Sequence, residues 1–392
     1  MSPSTATPTV PRLGGAAAAL RGSVYAAAAK RLAQFTGEVI PLHVGDTWLP
    51  PVDGARMEDL DSAALPDLHR YAPPPGQPAL LEAIADRVAA RTGVATAPAD
   101  VLVTAGATGG LSALFATLLE PDDEVLIAAP FWPLIRGIVR SLHGVPVEVP
   151  LLDDAVPDAN AAVEALRRHR TPRTTTLYIS TPHNPTGRVI PGDWLEAIVA
   201  WAQAEGLWIV SDEVYADYVY GDAAHVPCRP LAPERVFGTH SFSKAYGMTG
   251  YRCGYLVGPR EAMRAVRKIA TYTVYSTPTP AQEVARRALT SDAGAAWITR
   301  ARDAYRDVGN ATAQRLGVPA PQGSTFLFLD VRDHLDDRGL LGLLEDCADR
   351  GLMLAPGPSF GPYPHHVRVC FTSAPPDAVA RGVELLAQRL GR

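Results

Sequence analysis

The sequence of 392 residues is poor in the features that mark several protein classes. Its four cysteines, Cys228, Cys253, Cys347 and Cys370, lie far apart and form no Cys-x-x-Cys pair. We therefore expect reduced, mostly buried thiols, with neither a zinc site nor a disulfide framework. No apolar run approaches the roughly 20 residues that a membrane-spanning helix needs. These shortages argue against a disulfide-rich secreted fold, a metal module and a helical membrane protein.

Basic charge is also scarce. The net charge is −5 and no basic block stands out, so neither a nucleic-acid nor a membrane partner is expected. The first ten residues contain no lysine or arginine and lack the charged start of a secretory signal. A cytoplasmic location is the expectation. Hydrophobic residues at 47% and charged residues at 20% are typical of a globular chain, and the length suffices for about two domains.

What is present is an alternation of short apolar runs with longer helical patterns. The runs predict buried strands over residues 101–104, 124–129, 175–180, 207–211 and 254–258, with helices over 109–120 and 192–204. Strand, helix and strand in succession indicate a mostly parallel sheet with helices on both faces. Ligands bind such sheets at the carboxyl ends of the strands.

The pattern changes after about residue 285. Helical segments over 281–316 and 340–350 flank strand candidates at 325–331 and 367–371, which predicts a smaller α+β unit. An alanine-rich stretch over 16–33 predicts an amphipathic helix. We divide the chain into an arm or lid over 1–45 that joins the small domain, a large site-bearing domain over 46–285, and a small domain over 286–392.

The segment Ser241-Phe-Ser-Lys244-Ala-Tyr-Gly-Met-Thr-Gly-Tyr-Arg252 carries the strongest chemical signal. It holds an amine beside hydroxyls and a guanidinium, which suits a ligand that is both an aldehyde and a phosphate. Pyridoxal 5'-phosphate fits, because a lysine binds it as a Schiff base. A Ser/Gly-rich loop with a surface lysine is the alternative.

A second segment, Gly106-Ala107-Thr108, follows a predicted strand and opens a helix. Backbone N–H groups at such a junction bind anions, and small residues let the backbone approach a phosphate. A purely structural turn is the alternative.

Further loops after strands carry side chains suited to a pyridine ring. Asn184 and Tyr215 are able to bond a phenolate-like 3'-oxygen, and Trp132 is able to stack on the ring. Asp212 would pair with a protonated ring nitrogen and so make the ring an electron sink. Taken singly, an Asn-Pro turn, a charged loop end and a core tryptophan explain these residues as well.

Arg368 lies inside the alternating apolar run 367–371. A buried unpaired charge is expensive, so this arginine requires an anion such as a carboxylate. An edge-strand arginine that faces water is the alternative.

Together these segments resemble the class I/II aminotransferases, which are fold-type I enzymes that bind pyridoxal phosphate. The resemblance runs from about residue 40 to residue 371. Its markers are Tyr71-x4-Gly76-x-Pro78-x-Leu80, Gly106-Ala107-Thr108, Asn184-Pro-Thr-Gly187, Asp212-Glu-Val-Tyr215, Ser241-Phe-Ser-Lys244 and Arg252. It implies an α/β fold with a mostly parallel central sheet and a smaller α+β domain. It also implies an enzyme, usually homodimeric, that moves an amino group between an amino acid and a 2-oxo acid.

The resemblance assigns roles by matching motif. It implies that Lys244, Asp212 and Tyr215 are catalytic. The cofactor would be held by Gly106, Ala107, Thr108, Trp132, Asn184, Asp212, Tyr215, Ser241, Ser243, Lys244 and Arg252, and by Tyr71, with Thr277, from the neighbouring subunit. The substrate would be bound by Arg368, which clamps its α-carboxylate, and by Gly45, Asn184 and Trp48. No metal is expected.

Some positions depart from the family pattern. His183 stands where an asparagine is common, and the lid segment over 42–50 contains Asp46 and Trp48. No arginine stands at a secure position for a dicarboxylate side chain, although Arg136 and Arg140 are candidates.

Other chemistry uses the same residues. A pyridoxal-phosphate lyase, cyclase or oxidase acting on an amino acid in specialised metabolism is the second interpretation. A non-catalytic relative is the third, and the presence of Lys244 argues against it.

Overall fold

The computed structural model describes residues 14–20, 31–32, 34–152 and 156–392. The rest of the predicted arm, residues 1–13, 21–30 and 33, lies outside this part. Helix α1 (Gly15–Ala19) ends at Leu20, which is extended with φ −78° and ψ 123°. The helix expected over 16–33 therefore does not run through Leu20, and most of its remainder lies outside the described residues.

Seven strands form the larger sheet, in the order β1-β7-β6-β5-β4-β2-β3. They are β1 (Val101–Thr104), β2 (Glu124–Ala129), β3 (Val145–Pro150), β4 (Thr174–Ser180), β5 (Trp208–Asp212), β6 (Val236–Ser241) and β7 (Gly254–Val257). Strand β7 is antiparallel to both its neighbours, β1 and β6, whereas the pairs from β6 to β3 are parallel. The predicted mostly parallel sheet is confirmed.

Two of these strands, β3 and β6, were not predicted. Strand β3 contains two prolines and a glutamate and is only half-buried along most of its length. Strand β6 contains Gly238, Thr239 and His240. Neither has the continuous apolar run by which a buried parallel strand is recognised, so only the tertiary structure identifies them.

Helices cover both faces of this sheet. They are α2 (Pro78–Thr92), α3 (Gly106–Leu118), α4 (Leu134–Ser141), α5 (Ala159–His169), α6 (Gly192–Ala204), α7 (Phe242–Ala245), α8 (Arg260–Thr273) and α9 (Thr279–Thr290). Alternate strand residues enter different apolar clusters: Ile209 packs with residues of α5 and α6, whereas Val210 packs with residues of α3, α4 and α8. This period of two is expected of strands buried on both sides.

A second, antiparallel sheet has the order β8-β10-β9. Its strands are β8 (Phe326–Asp330), β9 (Ala355–Pro356) and β10 (His366–Cys370), and the helices of this part are α10 (Asp292–Leu316), α11 (Gly339–Ala348) and α12 (Pro376–Arg389). The predicted smaller α+β unit is confirmed. The single helix expected over 281–316 is wrong: Ser291 is extended, with φ −99° and ψ 149°, and its side chain accepts from the Gly294 N–H at the start of α10.

Residues 40–42 of the arm lie against this smaller unit. The Ile40 N–H donates to the Gly351 carbonyl at 2.8 Å, and the Cys370 N–H donates to the Leu42 carbonyl at 2.8 Å. The division at residues 45 and 285 stays a prediction. All four cysteines are buried and unpaired, as expected. In the described part of the chain, no helix is both long and apolar enough to cross a bilayer.

Candidate active site

A cavity of about 210 Å³ opens where strands β4, β5 and β6 end. The last residues of these strands, Ser180, Asp212 and Ser241, all line it, which is where parallel sheets bind ligands. The predicted site residues that line the cavity are Gly45, Ala107, Thr108, Trp132, Asn184, Asp212, Tyr215, Ser241, Ser243, Lys244 and Arg252.

Lys244 projects into the cavity from α7, a helix of four residues. Ser241 caps this helix, because its side chain accepts from the Ser243 N–H at 3.2 Å. The Lys244 amine donates to the Gly45 carbonyl of the arm. Burial of the amine is the main cause that lowers the pKa of Lys244. Cys370 and Asp46 oppose this effect, and the nearby cations Arg368 and Arg252 add to it. The neutral amine, which is the nucleophilic and basic form, is thereby favoured.

One end of the cavity suits an anion. Gly106 opens α3 with φ +68°, and a Cβ atom there would lie 2.5 Å from the Arg252 Nη2 atom. Arg252 is held by its Nη1 donation to the Thr249 carbonyl at 2.8 Å and by a longer contact with the Ser243 hydroxyl at 3.4 Å. The guanidinium thus stands beside the positive end of a 13-residue helix, and these two features together attract a phosphate.

Asp212 ends β5 and is buried. Its Oδ2 atom accepts from the Tyr178 hydroxyl at 2.6 Å, and its Oδ1 atom accepts from the Val214 N–H at 3.4 Å. Burial raises the pKa of Asp212 to about 6, against the lowering effect of these two hydrogen bonds and with a smaller raising effect from Glu213. A cation in the cavity would favour the ionised carboxylate.

Tyr215 and Trp132 supply the aromatic wall. Tyr215 is 2% exposed, and its ring packs edge-on against Phe326 with centroids 5.6 Å apart. Burial raises the pKa of the Tyr215 phenol above its ordinary value, so the hydroxyl keeps its proton at neutral pH. Trp132 is partly buried against the core and lines the cavity.

Arg368 and Asn184 form a buried pair at the edge of the cavity. The Arg368 Nη1 atom donates to Asn184 Oδ1 at 2.8 Å, and Nη2 donates to the His43 carbonyl at 2.6 Å. The guanidinium also lies over the Phe326 ring, 4.2 Å from its centroid. Because a guanidinium only donates, the amide oxygen must face it, and the Asn184 NH₂ group is left to donate elsewhere. The alternative of a water-facing edge-strand arginine is wrong, since β10 is the middle strand of its sheet.

Three residues predicted for the site lie elsewhere in this chain. Trp48 packs edge-on against Tyr305 at 5.2 Å and does not line the cavity. Tyr71 is 83% exposed and its ring contacts Tyr275 at 4.9 Å. Thr277 is buried, and its hydroxyl has no hydrogen-bond partner within the described chain. The roles of Trp48, Tyr71 and Thr277 stay predictions.

The sequence assigned no role to several residues in or beside the cavity, among them Tyr178, which lies behind Asp212 and does not line the cavity. Tyr178 bonds Asp212. Asp46, in the lid segment, accepts from the Thr249 hydroxyl at 2.9 Å. Leu111 and Val44 add apolar wall. The only sequence signal for Tyr178 was its place two residues before the end of a predicted strand, which is a weak one. Neither Arg136 nor Arg140 lines the cavity, and Arg136 lies 2.8 Å from Glu148.

Comparison with known proteins agrees with this geometry. The family profile described as aminotransferase class I and II matches residues 37–386. An aspartate/prephenate aminotransferase from Thermus thermophilus is 34% identical over 331 residues, which cover 82% of this chain and 84% of that protein. A structure of the Thermus thermophilus aspartate aminotransferase with maleate superposes with a TM-score of 0.86 at 30% identity, over 97% of this chain and 100% of that one.

A structure of N-succinyldiaminopimelate aminotransferase from Mycobacterium tuberculosis also has a TM-score of 0.86, at 29% identity, over 97% of this chain and 100% of that one. The likeness therefore spans both sheets and the residues that line the cavity, and the fold-type I architecture is confirmed. The chain belongs to the class I and II aminotransferase family and is a transferase enzyme.

Proposed function

We propose that this aminotransferase works with pyridoxal 5'-phosphate bound to Lys244, with Asp212 at the ring nitrogen and Arg368 at the substrate carboxylate. Aminotransferases of this family use that cofactor. The observation that carries the proposal is the convergence of Lys244, Asp212 and Arg252 on one cavity from two separate segments of the chain, Asp212 from the end of β5 and the other two from residues 241–252. An amine, a carboxylate and a phosphate-binding guanidinium are the groups that this cofactor requires.

The donor set fits the cofactor from end to end. The phosphate would be held by Arg252, Ser241, Ser243 and the first N–H groups of α3 at Gly106, Ala107 and Thr108. The glycine at 106 supports this role, since any side chain there would fill the space beside Arg252. The 3'-oxygen would meet the Asn184 NH₂ group and the Tyr215 hydroxyl, and Trp132 would stack on the ring.

The chain's own groups then handle the proton and the substrate. When bound, pyridoxal phosphate supplies an electron sink for the substrate's Cα atom. Lys244 takes the proton from Cα, a step for which its lowered pKa suits it. Asp212 would pair as an anion with the ring nitrogen and would keep that nitrogen protonated. Arg368 binds the α-carboxylate. Its hydrogen bond to Asn184 also connects the substrate-binding guanidinium with the groups around the 3'-oxygen.

The cavity wall favours a substrate with an uncharged side chain. Among the described residues that line it, the cations are Lys244 and Arg252, and both have roles with the cofactor. Asp46 adds a carboxylate to the same wall, whereas Leu111 and Val44 are apolar. A second carboxylate on the substrate would meet no further cation among the described residues that line the cavity, so we expect asparagine to react faster than its isosteric acid, aspartate.

The same proposal includes a homodimer. Tyr71, Tyr272 and Tyr275 are exposed to 83%, 90% and 46%, and a surface with several exposed aromatic rings is typical of an interface. In this arrangement Tyr71 would reach the phosphate bound by the partner chain.

A half-reaction experiment tests the proposed activity. Purified protein loaded with pyridoxal phosphate is mixed with single amino acids, and the cofactor's absorption, the 2-oxo acid and ammonia are measured. We expect loss of the aldehyde form with one 2-oxo acid per site and no ammonia, and Lys244→Ala should abolish the change. The exposed Lys268→Ala is the matched control and should behave as wild type. Ammonia release without an acceptor would instead identify a lyase or oxidase.

A further inference from the structure

We propose that Tyr178 is a positioning residue for the cofactor: its hydroxyl holds one oxygen of the Asp212 carboxylate, so that the other oxygen is presented to the ring nitrogen. The inference rests on the proposed function, because it takes Asp212 as the partner of that nitrogen. It concerns the residue behind Asp212, to which neither the sequence motifs nor the comparisons assigned a role.

The strand register brings the two side chains together. Tyr178 pairs with Val210 across β4 and β5, and Ser180 pairs with Asp212. Residues two apart on a strand share a face, so Tyr178 and Asp212 both point to the side of the sheet covered by α3, α4 and α8. The tyrosine is long enough to span the two-residue offset, and its hydroxyl reaches Asp212 Oδ2 at 2.6 Å.

The direction of this hydrogen bond is fixed by burial and charge. Tyr178 is 1% exposed, and burial together with the Asp212 charge raises the pKa of the phenol well above its ordinary value. The hydroxyl therefore keeps its proton and donates, and the carboxylate accepts. The remaining oxygen, Oδ1, accepts from the Val214 N–H at 3.4 Å. This hydrogen bond is long and weak, so Oδ1 is still able to accept a stronger one.

The Tyr178 hydrogen bond lowers the pKa of Asp212, whereas burial raises it. An apolar environment favours the protonated acid, which is unable to balance a cationic ring nitrogen. The other groups that face the carboxylate do not replace the donor: Glu213 disfavours ionisation of Asp212, and the Tyr215 hydroxyl is hydrogen-bonded to Thr325. A charge-assisted donor of the Tyr178 kind is expected to keep Asp212 ionised and its plane fixed.

The test replaces Tyr178 by phenylalanine, which removes the donor and keeps the ring. Tyr220→Phe is the matched control, because Tyr220 is also buried and its hydroxyl donates to a backbone carbonyl, that of Ser324, at 2.5 Å. Two quantities are measured: the dissociation constant of pyridoxal phosphate, and the ¹⁵N chemical shift of the ring nitrogen in enzyme loaded with labelled cofactor. We expect Tyr178→Phe to bind the cofactor about tenfold to a hundredfold more weakly and to lose the protonated-nitrogen signal at neutral pH, with both quantities unchanged in the control.

A second variant covers the case in which Tyr178→Phe folds poorly. Incorporation of 3-fluorotyrosine at position 178 preserves the shape of the side chain and makes its hydroxyl a stronger donor, so the cofactor should bind at least as tightly and the nitrogen should stay protonated to higher pH. A Tyr178→Phe enzyme with wild-type affinity and a protonated ring nitrogen would overturn the inference, as would an unchanged pH dependence in the fluorotyrosine protein.

The same measurement separates this inference from the proposed function. If Asp212→Asn loses the protonated-nitrogen signal and Tyr178→Phe keeps it, Asp212 is the ring partner and the role of Tyr178 is wrong. If the signal is also unchanged in Asp212→Asn, the assignment of Asp212 itself fails, and the inference fails with it.

Discussion

At the scale of single residues, burial drives the lysine and the aspartate of the site toward their neutral forms. It lowers the pKa of Lys244 and raises the pKa of Asp212 to about 6. The two shifts have different uses. A neutral amine is needed to attack an aldehyde. A buried carboxylate, by contrast, lowers the stability of the folded protein, and a cationic ring nitrogen would offset that loss. Without the cofactor, the protein should therefore be less stable with Asp212 than with a neutral side chain at this position.

That cost gives a prediction for Asp212→Asn in the cofactor-free protein. The pKa of Asp212 is about 6 in the folded protein and near 3.9 in the unfolded chain. The unfolded chain therefore ionises first as the pH rises, and this lowers the stability of the folded protein progressively between about pH 4 and pH 6. Above that range the loss of stability is complete. The asparagine removes this effect and still accepts from Tyr178. We expect the apo variant to be more stable than wild type at pH 8, by on the order of 1–3 kcal/mol.

Urea unfolding at two pH values checks this prediction. The stability difference between Asp212→Asn and wild type should be large at pH 8 and close to zero near pH 4, where both side chains are neutral. An equal difference at both pH values would mean that the carboxylate is not the source of the cost. The loaded variant should have lost most of its aminotransferase activity.

Arg368 supports a second residue-scale prediction. Its two Nη atoms are held by Asn184 and by the His43 carbonyl, with the Phe326 ring beneath. A lysine at this position has neither the planar fork nor the stacking surface. We expect Arg368→Lys to raise KM for the amino acid by about tenfold to a hundredfold, in keeping with the loss of a charge-assisted pair.

Steady-state kinetics and the absorption spectrum together check it. The cofactor's spectrum should be unchanged in Arg368→Lys, and the exposed Arg264→Lys, whose native side chain pairs with Glu261, should have wild-type KM. A wild-type KM in Arg368→Lys would place the carboxylate clamp elsewhere.

At the scale of elements, the sequence predicted most strands of the central sheet because their apolar runs are continuous. It also predicted that Asn184 and Asp212 follow strand ends and so share one edge. It missed β3 and β6, whose prolines, glycine and polar residues are tolerated only because neighbouring strands and helices surround them. It predicted one helix over 281–316, since a single extended residue, Ser291, leaves almost no trace in the helical periodicity.

The junction of β1 and α3 gives an element-scale prediction. Gly106 and Gly93 both have φ +68°, but a Cβ atom at 106 would lie 2.5 Å from Arg252 Nη2, whereas at 93 it would meet nothing within 4 Å. Alanine at either position should cost about 1 kcal/mol of stability for the left-handed backbone. Only Gly106→Ala should also weaken pyridoxal phosphate binding, by at least tenfold, because it displaces Arg252.

Parallel thermal unfolding and cofactor titration of the two variants distinguish these effects. Gly93→Ala measures the backbone cost alone. Equal cofactor affinity in the two variants would show that the approach of Gly106 to Arg252 has no part in phosphate binding.

At the scale of the whole molecule, the sequence predicted the group of site residues but few of the contacts among them. The Arg368 and Asn184 side chains meet across 184 residues of chain, and Tyr178 meets Asp212 across a strand pair. Such contacts depend on how the two sheets and their helices pack. Trp48 is an example: the resemblance placed it in a lid segment that shapes the substrate pocket, and the sequence did not predict that its ring packs against Tyr305. Its contact with the substrate stays a prediction.

The exposed aromatic surface leads to a prediction about assembly. Tyr71, Tyr272 and Tyr275 should be buried between two copies of the chain, so the protein should sediment as a dimer. Tyr272→Asp places a charge in that interface and should shift the population toward monomer at micromolar concentration. Leu341→Asp, which alters an apolar residue 49% exposed in the smaller unit, is the control and should remain dimeric. A wild-type monomer that retains full activity would contradict the shared site.

The bond between Lys244 and the cofactor is the centre of the account, and it is directly measurable. The sequence contains only three lysines, Lys30, Lys244 and Lys268, so a modified lysine is readily assigned. Protein loaded with pyridoxal phosphate is reduced with borohydride, digested and analysed by peptide mass spectrometry. We predict one reduced cofactor per chain, on Lys244, with Lys30 and Lys268 unmodified. An unmodified Lys244, or an adduct spread over the other two lysines, would contradict the account.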